Sequence, residues 1–162
     1  MSRYPLAKAS GNEAKANPIK TMSYVRIWVH AVFTTLNSEP YFTAEIRAAL
    51  IGHIKHNCRE KGIFLDSVGG WSDHLHLLIS LGREQNIAKV MMLIKGESAY
   101  WLNQQSFFAG KFRWQDDYFA ISVSESQVET VRVYIGNQEE HHRAVPFARE
   151  LETLERITKK LG

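Results

Sequence analysis

The period of the apolar positions changes several times along the chain, and each change marks an element. From Ser23, the run Tyr24, Val25, Arg26, Ile27, Trp28, Val29, His30, Ala31, Val32, Phe33, Thr34, Thr35 is dense in β-branched and aromatic residues, as expected of a mostly buried strand. After Pro40, residues Phe42, Ile46, Ala49, Leu50, His53 and Ile54 recur at helical spacing, and Lys61-Gly62 supplies a basic last turn and a glycine stop. Ile63 to Val68 and Leu75 to Leu81 read as two strands. Gly69, Gly70, Trp71, Ser72 and Asp73 join them in a turn short enough for an antiparallel hairpin. A second helix carries Ile87, Val90, Met91, Ile94, Ser98 and Trp101 on one face, with Asn86 as its expected N-cap. Phe107 to Asp117 is irregular and aromatic, and Tyr118 to Val123 reads as a further strand. Ser124-Glu125-Ser126-Gln127 then has the form of a capping box opening a helix through Val128, Val131, Ile135 and beyond.

The order is therefore β-α-β-β-α-β plus a helix. It matches an α+β fold of the ferredoxin-like, split βαβ type, in which helices cover one face of an antiparallel sheet. A last amphipathic stretch with Phe147, Leu151, Leu154, Ile157 and Leu161 follows Pro146, and reads as a packing or dimer face. Residues 1–21 are polar, with Pro5, Gly11 and Pro18, and read as a disordered leader or an added remnant. The expected organisation is one domain over residues 22–162.

Composition narrows the function less than pattern does. The 162 residues hold 20 Lys plus Arg against 17 Asp plus Glu, a formal charge of +3. That surplus permits an anionic partner without specifying one. No apolar run approaches a membrane span, and the first residues lack the apolar stretch of a signal peptide, so the expected location is cytoplasmic. Cys58 is the only cysteine, which argues against an internal disulfide or a thiolate metal site, so any metal must be held by imidazole and oxygen.

Two features carry chemistry. Asp73-His74-Leu75-His76-Leu77-Leu78-Ile79 opens a predicted strand, where residues i and i+2 point the same way about 6.6 to 6.8 Å apart. Two imidazoles can then lean toward one cation while Leu75 and Leu77 face the core. Imidazole suits Mn, Co, Ni or Zn and tolerates Mg with oxygen companions. A surface strand with two incidental histidines would share the spacing. In the last predicted helix, Tyr134 and Gln138 are four apart and so share a face, setting a hydroxyl beside an amide oxygen. His30 reads as a satisfied buried residue. His141-His142 reads as a solvated helix end unless it reaches the site, and helical geometry aims Glu139 away from Gln138.

Five blocks in order, with these features among them, give the sequence a family likeness. They are Trp28 to Thr35, Asp73 to Leu78, Leu93-Ile94-Lys95-Gly96-Glu97-Ser98, Phe112 to Phe119, and Tyr134 to His142. The chain resembles the single-tyrosine HUH transposases, insertion-sequence enzymes that move DNA as a single strand, over about Tyr24 to Arg143. The resemblance implies an HUH endonuclease fold with a C-terminal tyrosine-bearing helix. It places metal ligands at His74, His76 and Gln138 and the nucleophile at Tyr134. It implies a divalent metal, Mg or Mn, a 5′-phosphotyrosine intermediate, and excision and insertion of an insertion sequence. The implied partners are single-stranded DNA with hairpin ends and a second copy of the chain, in a homodimer with composite active sites.

Lys111 and Arg113 are the expected DNA contacts among the basic residues near Trp114, Tyr118 and Phe119. The proton acceptor for Tyr134 stays open between water, His30, His141, His142 and the DNA. Competing readings are a rolling-circle replication initiator or relaxase relative, a silent domesticated binder of hairpin DNA or RNA, and an interaction domain with accidental motifs.

Overall fold

The computed structural model describes residues 23–150 and 152. The expected leader and the apolar positions Leu151, Leu154, Ile157 and Leu161 lie outside the described residues. The elements are β1 (Ile27–Thr34), α1 (Ala44–Glu60), β2 (Phe64–Gly70), β3 (His74–Leu81), α2 (Ile87–Gln104), β4 (Phe119–Val123), α3 (Val128–Gly136) and α4 (Gln138–Ala144). The four strands form one antiparallel sheet in the order β2-β3-β1-β4, the split βαβ arrangement expected from the pattern.

β1 and β3 occupy the centre of the sheet, with structure on both faces, and their sequences are accordingly almost unbroken in burial. One face carries Val29, Ala31 and Phe33 of β1 and Leu75, Leu77, Ile79 and Leu81 of β3. These pack under Leu50, Ile54 and Cys58 of α1 and Val90, Met91, Ile94 and Leu102 of α2. Burying each large aliphatic side chain there is worth roughly 1.5 to 3 kcal/mol. The other face carries Trp28 and Leu78, which pack against Val128 and Ile135 of α3. α1 and α2 thus share one face as expected, and the tyrosine-bearing helix lies across the opposite one.

Local signals explain most boundaries. Thr43 caps α1 by accepting from Ile46 N–H, and Gly62 ends it at φ +66, a conformation that disfavours residues with a β-carbon. Asn86 caps α2 by accepting from Lys89 N–H at 2.9 Å. The aromatic stretch before β4 is core, since Phe112 and Trp114 are buried and the Trp114 indole donates to Ser98 Oγ at 3.0 Å.

Three expectations change. β2 runs through Gly69 and Gly70 instead of ending at Val68, because both glycines pair with β3 opposite His76 and Leu75. No capping box forms at Ser124: residues Glu125–Gln127 make a 3-10 turn without a side-chain cap. Glu125 instead accepts from the Trp28 indole at 2.7 Å and from Arg26 at 3.2 Å, which ties the helix entry to β1. The last helix is also broken. α3 stops at Gly136, and Asn137 (φ −100, ψ 20) separates it from α4.

Candidate active site

β3 puts His74 and His76 on the α3 face, opposite Thr34 and Val32 of β1. Both rings are fully buried. His74 Nδ1 lies 2.6 Å from Asp73 Oδ1, and since a carboxylate only accepts, Nδ1 carries the proton and Nε2 presents a lone pair. His76 Nδ1 lies 3.0 Å from His30 Nε2. Each histidine is therefore held through Nδ1, and neither Nε2 has a hydrogen-bond partner. Burial holds His76 well below the ordinary histidine range, with the neighbouring histidines adding to it, and burial pushes His30 down to about 4. His76 and His30 are therefore neutral at pH 7, and the neutral ring is the form that ligates metals.

Tyr134 sits in the last turn of α3. Its ring meets His76 edge-on at 5.6 Å between centroids and 87°, with His141 at 5.3 Å and His30 at 6.1 Å. Two devices press this helix to the sheet. A β-carbon at Gly69 would overlap the Ile135 carbonyl oxygen, so only glycine in β2 lets the helix backbone approach so closely. Arg132 clamps α3 to β2 through a paired contact with both Asp66 oxygens at 2.9 Å.

Gln138 opens α4 and is buried. Its amide donates to Tyr134 O at 3.3 Å, and its Oε1 lies 2.9 Å from His142 Nε2. The structure thus gathers His74, His76, Tyr134 and Gln138 into one neighbourhood. Lys111 and Arg113 are exposed, and no contact links them to this cluster among the described residues. Arg113 belongs to a segment paired with the end of β1 that carries Thr34 and Thr35, the end where His74 lies. Lys95 is held by the Asp116 and Asp117 carbonyls, and Arg132 by Asp66. Glu139 turns away, pairing with Arg47 of α1.

The solvated-end reading of His142 is overturned. Its side chain is buried, stacked near Trp71 at 6.0 Å and 25°. Gln138 and His142, one turn apart on α4, both face inward. The i, i+4 rule that paired Tyr134 with Gln138 would have reached His142 if carried one turn further. Burial, with His74 nearby, pushes His142 down to about 4.

Glu150 escaped the sequence reading, which gave Phe147 only to a packing or dimer face. Phe147 stacks on His74 at 3.8 Å and 12°. Glu150 is buried, with Oε1 3.3 Å from His76 Nε2 and Oε2 3.4 Å from His142 Nε2, and neither oxygen makes a hydrogen bond. Burial, with Asp73 nearby, pushes Glu150 up to about 7. No spacing signal links these residues to β3, because the chain leaves helical geometry at Val145 and Pro146 before they appear. Buried, unpartnered imidazole nitrogens and carboxylate oxygens are donors that a divalent cation satisfies, so the residues present fit such an ion.

Comparison with known proteins follows the same lines. The sequence profile of the family described as "Transposase IS200 like" matches residues 23–138. None of the curated proteins compared with the chain matches it. Among solved structures, a candidate transposase from Deinococcus radiodurans is similar at a TM-score of 0.58 and 22% identity, over 74% of this chain and 96% of that one. A REP-associated tyrosine transposase, solved bound to a REP hairpin, is similar at a TM-score of 0.55 and 14% identity, over 90% of this chain and 76% of that one. At these identities the two structures speak for the shared fold, while the profile covers most of the chain. The chain belongs to the IS200-like transposase family.

Proposed function

We propose that the protein cleaves and rejoins single-stranded DNA with Tyr134 as nucleophile, excising and inserting an insertion sequence. The observation that carries this reading is the Tyr134 ring set edge-on against His76, one of two buried histidines whose Nε2 atoms have no partner. In the cleavage step Tyr134 Oη bonds to phosphorus as the bond from phosphorus to the 3′-oxygen breaks. The 5′-phosphate stays on the tyrosine, the tyrosine proton is released, and the departing 3′-oxygen takes up a proton. Attack by a second 3′-hydroxyl reverses the step and joins new strands. The covalent link conserves the phosphoester, so no high-energy cofactor is consumed.

His74, His76 and Gln138 would hold a divalent metal, Mg or Mn, beside the scissile phosphate. A bound cation there polarises phosphate and offsets the charge that grows in the transition state. Asp73 and His30 orient the two imidazoles, and α3 delivers Tyr134 to them. Hairpin-ended DNA is the proposed substrate, supported by the structural neighbour solved on a REP hairpin.

The test is incubation with a labelled single-stranded oligonucleotide carrying the hairpin that flanks the gene, with Mg or Mn and with EDTA, read on a denaturing gel. A protein-linked band is expected with metal, absent with EDTA and absent from Tyr134→Phe. Tight hairpin binding with no covalent band under either metal would overturn the reading in favour of a silent hairpin binder.

A further inference from the structure

We infer that the cation centre extends beyond the HUH pair and Gln138: His142 and Glu150, from the segment after the family match, are ligands too, making a site for a first-row transition ion of the Mn, Co, Ni or Zn class. The inference rests on the cation centre of the proposed function and names its ligand set and metal class.

Geometry carries it first. One ligand atom each from His74, His76, His142 and Glu150 lies within 4.8 Å of all the others. Metal–ligand bonds of about 2.0 to 2.2 Å place neighbouring ligands of one ion about 2.8 to 3.6 Å apart. Glu150 Oε1 to His76 Nε2 is 3.3 Å, and Glu150 Oε2 to His142 Nε2 is 3.4 Å. Gln138 Oε1 to His142 Nε2 is 2.9 Å, so the amide oxygen faces the same point.

The protons point the same way. A neutral imidazole donates from one nitrogen only. His142 Nδ1 lies 3.2 Å from the Val145 carbonyl, which can only accept. Gln138 Oε1, 2.9 Å from His142 Nε2, is an acceptor as well, so one proton cannot serve both contacts. With the proton on Nδ1, the form that a cation at Nε2 selects, Nε2 turns a lone pair toward Gln138 Oε1 and Glu150 Oε2. The Nε2 atoms of His74 and His76 and both Glu150 oxygens make no hydrogen bond, though all are buried. Lone pairs converging in a buried space repel one another unless a cation stands between them.

Chemistry then selects the ion. Magnesium keeps much of its water and takes oxygen ligands, whereas three imidazoles and a carboxylate suit softer divalent ions. Second-sphere support is already built: Asp73 holds His74, His30 holds His76, and the Val145 carbonyl holds His142, each through Nδ1. Phe147, stacked on His74, caps the centre with an apolar ring.

The test is titration of the metal-free, DNA-free protein with Co(II), followed by its visible absorption, and by calorimetry with Zn, Mn and Mg. Tight cobalt binding is expected, with zinc displacing it and magnesium failing to compete at a hundredfold excess. Glu150→Gln, which keeps size and shape, and His142→Gln should each weaken cobalt binding at least tenfold and alter the spectrum, with unchanged far-UV circular dichroism showing the fold intact. Wild-type cobalt binding and spectrum in both variants would overturn the inference, as would equal competition by magnesium. The covalent-band assay separates this from the broader reading. A protein that binds cobalt as expected but forms no band defeats the transposition reading alone. One that forms the band while both variants bind cobalt normally defeats this inference alone.

Discussion

At the scale of single residues, one hydrogen bond per ring organises the site. Asp73 and His30 occupy the Nδ1 atoms of His74 and His76, leaving both Nε2 atoms buried without a hydrogen-bond partner. The cost of this arrangement is the burial of titratable rings, and it sets a pH dependence. His30 is pushed by burial from 6.5 to about 4. Between those values the unfolded chain binds a proton at this position and the folded chain does not, so His30 adds stability above pH 6.5 that is lost as pH falls toward 4. Glu150, pushed up to about 7, acts in the opposite direction, holding its proton in the fold where the unfolded chain has lost it. A difference between proteins isolates the histidine. In urea unfolding at pH 7 and pH 4.5, the wild type should lose about 2 kcal/mol more than His30→Gln between the two conditions. Equal losses would show that burial of His30 does not set this dependence.

At the scale of elements, the decisive contact is that of α3 with β2. Gly69 admits the Ile135 carbonyl, and the Asp66–Arg132 clamp fixes the helix, so Tyr134 reaches His76 from a rigid element. Gly69→Ala inserts a methyl group into that contact. The variant should unfold at lower urea, by about 1 to 3 kcal/mol, and form the covalent band at least tenfold more slowly. A wild-type rate of band formation would separate the Gly69 contact from tyrosine placement. The same element shows what local sequence rules miss. Ser124 to Gln127 satisfies the capping-box pattern, yet Glu125 is drawn to Trp28 of β1 and to Arg26 just before it, about a hundred residues earlier, and the turn forms without a cap. Gly69 and Gly70 resemble a turn by composition, but β2 continues through them because pairing with β3 and the close approach of α3 both call for small residues.

At the scale of the molecule, the tyrosine of this chain stands beside the histidine of the same chain. The family resemblance nonetheless implies a homodimer with composite sites, and we propose that α3 also serves the partner. Mixing Tyr134→Phe with His76→Ala protein should restore the covalent band that each lacks alone, with the adduct on the His76→Ala chain. No band in the mixture, with both proteins shown to be dimeric, would confine each tyrosine to its own site. No described helix is long and apolar enough to cross a membrane.

Much of this protein was legible without coordinates, for a physical reason. Strand alternation and helical period are local properties, so Leu75 and Leu77 facing the core and His74 and His76 facing away follow from the order of residues alone. The β-α-β-β-α-β order constrains the sheet because few connections are sterically available. Tyr134 and Gln138 share one neighbourhood as their spacing suggested, although the helix breaks between them. What only the tertiary structure decided lies beyond such breaks. Glu150 arrives after the chain leaves helical geometry at Val145 and Pro146. Its approach to His76, 74 positions earlier (150 − 76), depends on how α4 and the following turn pack on the sheet, a sum of non-local contacts that no residue spacing encodes.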